Sequence, residues 1–347
     1  MNIVSSIQQS NPKTIKSIIL IQSHIRGLLV RTRLSIHYIV SSSFLPSIDP
    51  DLPYSFIPNS LINDKEVRYV FQTYPALNDN IPVICMQTIQ YENGIQYYGE
   101  WNQITNLKHG RGVLKYPNGL SYYGQFRMNK ASGKGKIIFQ HNEEYEGEFI
   151  DNKANGLGIY KTKECRYEGK WKNDKPDGIG TETWLNGTCY TGEFKNGFKS
   201  GNGKLKSQEG VYIGNFLNNQ LHGKGYYIWS DKREYKGDWK NNKIEGEGSF
   251  KWPDGRKYTG HYRNDKKDGY GIFEWPDGKK YKGYWLNGKQ QGEGELYNPK
   301  DNHWEKGFWN NGERADKGDN SNERLTVSVT SKALPSNNVC SNGMLKS

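Results

Sequence analysis

Catalysis needs a nucleophile, an acid–base pair or a metal site, and the residue types for each occur here without the spacing that would assemble them. The seven histidines, His24, His37, His109, His141, His222, His261 and His303, are dispersed, with no HExxH and no Cys/His cluster. Cys85, Cys165, Cys189 and Cys340 form no CxxC pair, so neither a zinc site nor a disulfide framework is indicated, and a reducing compartment is the simpler reading. Glu245/Glu247 and Glu293/Glu295 place two carboxylates on one strand face, but lysines alternate with them and no pocket is implied, which reads as solvated surface. Nine Gly-x-Gly pairs recur, yet none is a GxGxxG and none leads into a helix, so no nucleotide cradle follows. No catalytic residue, metal or cofactor is therefore expected. Acids interspersed among the lysines also argue against nucleic acid.

The residues that suit binding lie at the head. On a helix, Ile18, Ile21, Ile25, Leu28 and Leu29 of "IILIQSHIRGLLVRTRL" form one apolar stripe, while Arg26, Arg31 and Arg33 offer charge to an acidic partner. The first 48 residues carry Lys13, Lys16, Arg26, Arg31 and Arg33 and no acidic residue. Ile21, Gln22, Arg26, Gly27 and Arg31 match IQxxxRGxxxR at every fixed position, and the segment resembles the IQ motif. That resemblance implies a site for calmodulin or a related EF-hand protein. Ile21 would anchor in a hydrophobic lobe beside Ile25, Gln22 would bond its backbone, Arg26 and Arg31 would meet carboxylates, and Gly27 would allow close approach. The plainer reading is a basic amphipathic helix lying on a membrane or on the rest of the chain.

Beyond the head the chain repeats itself. A glycine two residues after a recurrent tyrosine appears at Gly99, Gly124, Gly147, Gly169 and onward to Gly307, spaced 22 to 25 residues apart, and the Gly-x-Gly pairs keep step. Within a unit the pattern alternates with period two, as in Tyr235, Gly237, Trp239, and turn residues such as Pro253-Asp254-Gly255 and Asn287-Gly288 separate the runs. Each unit is thus a hairpin, with aromatic rings expected to lie across bare glycine backbone. The pattern resembles the MORN repeat, YxGxWxxGxxxGxGxxxxxDGxxY, over about Tyr97 to Arg314. The resemblance implies an all-β fold: an elongated single-layer antiparallel sheet with one hairpin per repeat, partial units capping each end. It also implies a protein-binding scaffold in a cytoplasmic setting of cytoskeleton or cilium.

Two surfaces follow from the repeat. A single layer leaves the second side of its rings uncovered, so Trp171, Trp184, Trp229, Trp239, Trp252, Trp275 and Trp285 are expected to remain partly accessible and to receive a protein partner or a second copy. Lys130, Lys153, Lys175, Lys243, Lys266 and Lys289 each fall eight residues after a repeat tyrosine and line one edge, where they would meet acidic phospholipid or simply protect the turn.

Composition sets the limits. Only 34% of residues are hydrophobic, while the chain holds 40 Gly, 24 Tyr and 10 Trp, and its net charge is +11. No apolar run approaches the 18 residues or so of a membrane span, and no signal-peptide order of charge, apolar core and cleavage site is present. The expected organisation is an α-helical IQ segment at 1–40, a Pro-rich linker with a short helix near Ser60 to Tyr74 at 41–80, the repeat sheet at 81–314, and a disordered polar tail at 315–347. The whole reads as a non-catalytic scaffold, the alternative being a membrane-peripheral adaptor.

Overall fold

The computed structural model describes residues 54–56, 62–140 and 143–315. The IQ segment, the serine- and proline-rich part of the linker and the polar tail lie outside them.

The described chain is one long, open antiparallel sheet of 23 strands. Three short strands begin it: β1 (Tyr54–Phe56), β2 (Val83–Cys85) and β3 (Ile89–Tyr91). The meander then runs through β4 (Gln96–Asn102), β5 (Lys108–Lys115), β6 (Ser121–Arg127), β7 (Lys130–Ile138), β8 (Glu144–Ile150), β9 (Lys153–Lys161), β10 (Cys165–Lys172) and β11 (Lys175–Trp184). It continues with β12 (Cys189–Lys195), β13 (Phe198–Lys206), β14 (Gly210–Leu217), β15 (Gln220–Trp229), β16 (Glu234–Lys240) and β17 (Lys243–Lys251). Last come β18 (Lys257–Arg263), β19 (Lys266–Glu274), β20 (Lys280–Leu286), β21 (Lys289–Asn298), β22 (His303–Asn310) and β23 (Glu313–Arg314). From β4 onward each strand pairs with the next in sequence, while β2 and β3 share the outer side of β4 and β1 pairs with β3.

Register explains the glycines. In every full hairpin a glycine of one strand faces a glycine of the next, as Gly237 faces Gly248, and the repeat tyrosine folds its ring over that pair. A Cβ at Gly203 would sit 2.5 to 2.7 Å from the Tyr190 ring, inside van der Waals contact. Each such tyrosine then donates from its hydroxyl to the carbonyl three residues on, Tyr190 to Glu193 at 2.8 Å and Tyr235 to Asp238 at 3.0 Å. The ring is fixed at both ends. Beyond it the register shifts, between Gly237 and Trp239 for example, which brings the aromatic of the motif beside the tyrosine.

The rings form a continuous ladder. Tyr235 meets Trp239 of its own strand at 5.3 Å and Tyr262 of the next unit at 5.6 Å, both edge-on, and Tyr258 passes the contact on to Trp285 at 5.3 Å. The series runs from Tyr97 and Trp101 to Trp309. Edge-on pairs of this kind contribute about 0.5–1.5 kcal/mol each beyond their buried area.

Turns lock successive hairpins together. Asn241-Asn242 and Asn264-Asp265 adopt positive φ at both positions, the mirror-image turn that matches strand twist. The second turn residue then reaches back one repeat: Asn242 donates its N–H to Leu221 O at 3.0 Å and accepts from Leu221 N at 2.7 Å. Asn219 does the same to Lys199, and Asp265 to Ile244. Where the earlier residue is Pro176, which has no N–H to give, the turn residue is Gly197, and only the backbone bond remains.

One helix interrupts the single layer. α1 (Asp64–Thr73) opens on a capping box between Asn63 and Glu66 and ends before Pro75. It lies on the face opposite the ring ladder, where Val70 and Tyr74 are buried against Val113 and Tyr123, flanked by Val67, Phe71, Tyr98 and Ile138.

Candidate functional site

The two faces of the sheet differ in what they leave open. On the ladder face Trp171, Trp229, Trp239 and Trp285 are 3–7% exposed, and Trp184, Trp252 and Trp275 are half-buried against the same cluster. The expectation that these seven rings stay accessible is corrected for the first four. Each ring is covered by the aromatic of the neighbouring hairpin, so one layer suffices to close the strip.

Three lysines are nevertheless set into this face, at one register position whose other occupants include Ala131, Ala154, Leu221 and Ile244. Lys108 donates to Tyr91 Oη at 2.7 Å, and burial pulls its ammonium down to about 8. Lys199 pairs with Glu182 at 2.5 Å, both almost wholly buried; burial pushes the Glu182 carboxyl up in spite of that cation. Lys267 lies over three rings, with Nζ 3.7 Å from the Trp285 centroid, 4.7 Å from Phe273 and 5.4 Å from Tyr258. Burial, with Arg256 adding a little, pulls it down to about 7.

The opposite face carries a groove of about 830 Å³ across β14 to β19. Its floor is the backbone of Gly225, Gly237, Gly248, Gly260 and Gly271. One wall is the row Ile213, Tyr226, Lys236, Thr259, Ile272; the other includes Lys224, Glu247, His261 and Tyr270. Ile213 is 49% and Tyr270 41% exposed, which makes this an apolar surface that a partner can reach. Several charges here are already paired: Lys224 with Asp238 at 2.7 Å, His261 with Glu247 at 3.3 Å, and Tyr226 donates to Glu234 at 2.7 Å.

α1 shows how this face receives a helix. Glu66 accepts from Tyr123 Oη and Lys115 Nζ, each at 2.8 Å, and although burial opposes its charge these partners and the Asn63 N–H hold its carboxyl below the usual range. Arg111, gripped by Glu100 at 2.6 Å, lies 4.6 Å from the Phe71 ring centroid. Gln125 donates to Pro75 O at 2.8 Å. Sequence reasoning placed a helix near here but missed its berth. The available signal was the outer-face run Tyr98, Val113, Tyr123, more apolar than its counterparts in later repeats.

The lysine edge is present and largely tied down. Lys130 lies 3.5 Å from Asp151, and Lys243, Lys266 and Lys289 donate to Asn264, Asn287 and Asn311 of the following turns at 2.8, 3.5 and 2.9 Å. Lys153 is exposed and Lys175 half-buried. Ile21, Gln22, Ile25, Arg26, Gly27 and Arg31 lie outside the described residues. Among the described residues no cluster of three or more His, Cys, Asp and Glu side chains is placed to hold a metal, and no helix is long and apolar enough to cross a membrane.

Comparison with known proteins gave two family matches. The MORN repeat profile matches residues 97–121, 122–140, 145–163, 167–189, 190–210, 212–232, 235–255, 258–280 and 281–302. The IQ calmodulin-binding motif profile matches residues 15–35. No curated protein matches. Among solved structures, the wild-type TCP10 domain of CPAP from Danio rerio is similar at TM-score 0.31 and 14% identity, over 54% of this chain and 88% of that one. The TCP domain of SAS-4 (dCPAP) from Drosophila melanogaster, in complex with a proline-rich motif of Ana2 (dSTIL), is similar at TM-score 0.28 and 13% identity, over 63% and 99%.

Proposed function

From the premise that the chain belongs to the MORN repeat family and carries an IQ calmodulin-binding motif, we propose that it is a non-catalytic scaffold. It holds calmodulin or a related EF-hand protein at its head and a protein partner on the sheet, in a cytoskeletal or ciliary assembly. The observation that carries the reading is the match of Ile21, Gln22, Arg26, Gly27 and Arg31 to the motif's fixed positions, ahead of a sheet whose outer face keeps an open apolar groove.

Physically, the head offers an apolar stripe flanked by arginines, which suits the hydrophobic lobe and acidic rim of an EF-hand protein. A ladder sealed by its own rings leaves the other face free to dock partners. The test is a calmodulin pull-down on the full chain with and without calcium. Ile21→Asp and Arg26→Glu are each expected to abolish capture; undiminished capture by both would refute the site.

A second reading, a peripheral membrane adaptor, rests on six lysines sharing one edge. Cation attraction to anionic lipid would add to any hold by the basic head.

A further inference from the structure

We propose that the outer-face groove over β14 to β19 is the berth of an acidic amphipathic helix from a protein partner. This names the chemistry of the sheet's partner and rests on the scaffold reading above.

The first argument is geometric and internal to the chain. α1 lies on side chains at defined register positions: Tyr98 and Tyr123 just before a floor glycine of one strand, Val113 just after that of the next, Arg111 just before it. In the groove those positions hold Ile213 before Gly214, Tyr226 after Gly225, Ile272 after Gly271 and Tyr270 before it. The later surface therefore repeats part of the apolar surface that α1 covers, with Lys236, Ser249 and Thr259 at the intervening positions and no cover of its own among the described residues. Six strands at about 4.8 Å give a groove on the order of 24 Å long, room for about 16 helical residues. An added strand is excluded, because β14 to β19 already use both edges in pairing with their neighbours.

The second argument is charge. The row that contains Ile213, Tyr226 and Ile272 also contains Lys204, Lys236 and Lys282, and none of the three makes an ion pair within the described residues. Of the nearby acids, Asp238 is paired with Lys224 and Glu274 with Lys257 and Lys280, Glu234 accepts from the Tyr226 hydroxyl, Glu247 lies 3.3 Å from His261, and Glu295 stands opposite Lys282. Along the wall, Lys204 stands between Thr191 and Ile213 and Lys236 between Tyr226 and Ser249, so these two cations face no carboxylate across the strands. α1 provides the precedent again, since it turns Glu66 toward Lys115.

The chain's own head is the wrong occupant on both counts. It carries five basic and no acidic residues up to Ile48. The segment from 36 to 53 would also have to stretch almost fully, at about 3.3 Å per residue, to pass from β1 beside β3 to β14.

The test uses the full chain and three labelled peptides in fluorescence anisotropy. One is residues 62–76, one is the same sequence with Lys65→Glu and Arg68→Glu, and one is the head segment 13–35. The acidic peptide is expected to bind at least about tenfold more tightly than either other at low salt and to weaken as salt rises. Lys204→Glu with Lys236→Glu should cost it about tenfold or more, and Ile213→Asp with Ile272→Asp should abolish binding. Equal or tighter binding of the head peptide, or acidic-peptide binding indifferent to both groove variants, would overturn the proposal. Calmodulin capture by the same groove variants is expected to be unchanged. A parent chain that captures calmodulin but fails to bind the acidic peptide refutes only this inference, whereas a parent chain that binds the peptide but fails to capture calmodulin refutes the IQ reading alone.

Discussion

Replacing Lys267 with leucine should stabilise the protein. Leu221 and Ile244 occupy the same register position two hairpins and one hairpin earlier, each opposite an aromatic as Lys267 is opposite Tyr262. The fall of the ammonium from 10.5 to about 7 sets a ceiling of about 5 kcal/mol on its cost, at 1.36 kcal/mol per pH unit. The side chain is only half-buried, so solvent screens part of that, and the Trp285 face returns about 1–2 kcal/mol. A net gain of about 1–3 kcal/mol is expected for Lys267→Leu at neutral pH. Its pH dependence is the sharper test. Between about pH 7 and 10.5 the unfolded chain keeps this proton while the folded chain releases it, so parent stability rises with pH through that window and the variant's advantage shrinks. By pH 9.5 the advantage should have fallen to about a third of its neutral value. Urea denaturation followed by tryptophan fluorescence at both pH values measures this. A variant no more stable than the parent at pH 7, or a gain equal at both pH values, would refute the view that this cation is held at a cost.

The buried pair behaves oppositely: Glu182→Leu alone strands Lys199 among rings and should cost about 3–5 kcal/mol, whereas Glu182→Leu with Lys199→Leu should return to within about 1 kcal/mol of the parent. Denaturation of the three variants decides it, and a double variant as unstable as the single would contradict the argument. Gly203→Ala drives a methyl into the Tyr190 ring and should cost about 2–3 kcal/mol; Gly119→Ala, with open space but φ +90°, should cost only about 1–2 kcal/mol. Thermal melts ranking them the other way would show that the ring contact is not what demands glycine. For the lipid reading, sedimentation with anionic vesicles should be strong at low salt and abolished by changing Lys130, Lys153, Lys175, Lys243, Lys266 and Lys289 to Glu, at about 1 kcal/mol per lysine. Binding insensitive to those changes would remove the edge from consideration.

The fold was legible because its signals are local and repeated. A glycine two residues after each tyrosine, a second glycine pair and an Asn- or Asp-rich turn define every hairpin before any long-range contact is known. Ring-on-glycine packing also followed, since no other residue leaves a flat floor. What could not be read was which neighbour covers each ring. That depends on the register shift after Gly237 and its counterparts, which brings Trp239 and Trp285 against the preceding unit's tyrosines, Tyr212 and Tyr258, and removes them from solvent. The back-reaching bond of Asn242 to Leu221 was hidden for the same reason, joining residues 21 apart whose types look like ordinary turn and strand. The lysine edge was found by counting, but its ties to the next turn's asparagines required coordinates.

A glycine row has consequences on both sides of one layer. Toward the ladder it admits the tyrosine ring; on the other side the same bare backbone is a channel, because the walls are formed only by residues flanking each glycine. Those flanking residues take no part in the ladder, so they can change without disturbing the ring contacts that hold the sheet together. That freedom explains how Lys136 and Thr181 stand at the position where Val113 meets α1 and Tyr226 lines the groove. Cohesion is specified by the repeated residues and recognition by the unrepeated ones. A substitution in the second set, such as Ile213→Asp, should therefore change what docks while leaving the melting temperature within a few degrees of the parent, and a large loss of stability there would mean that the outer walls also carry the fold.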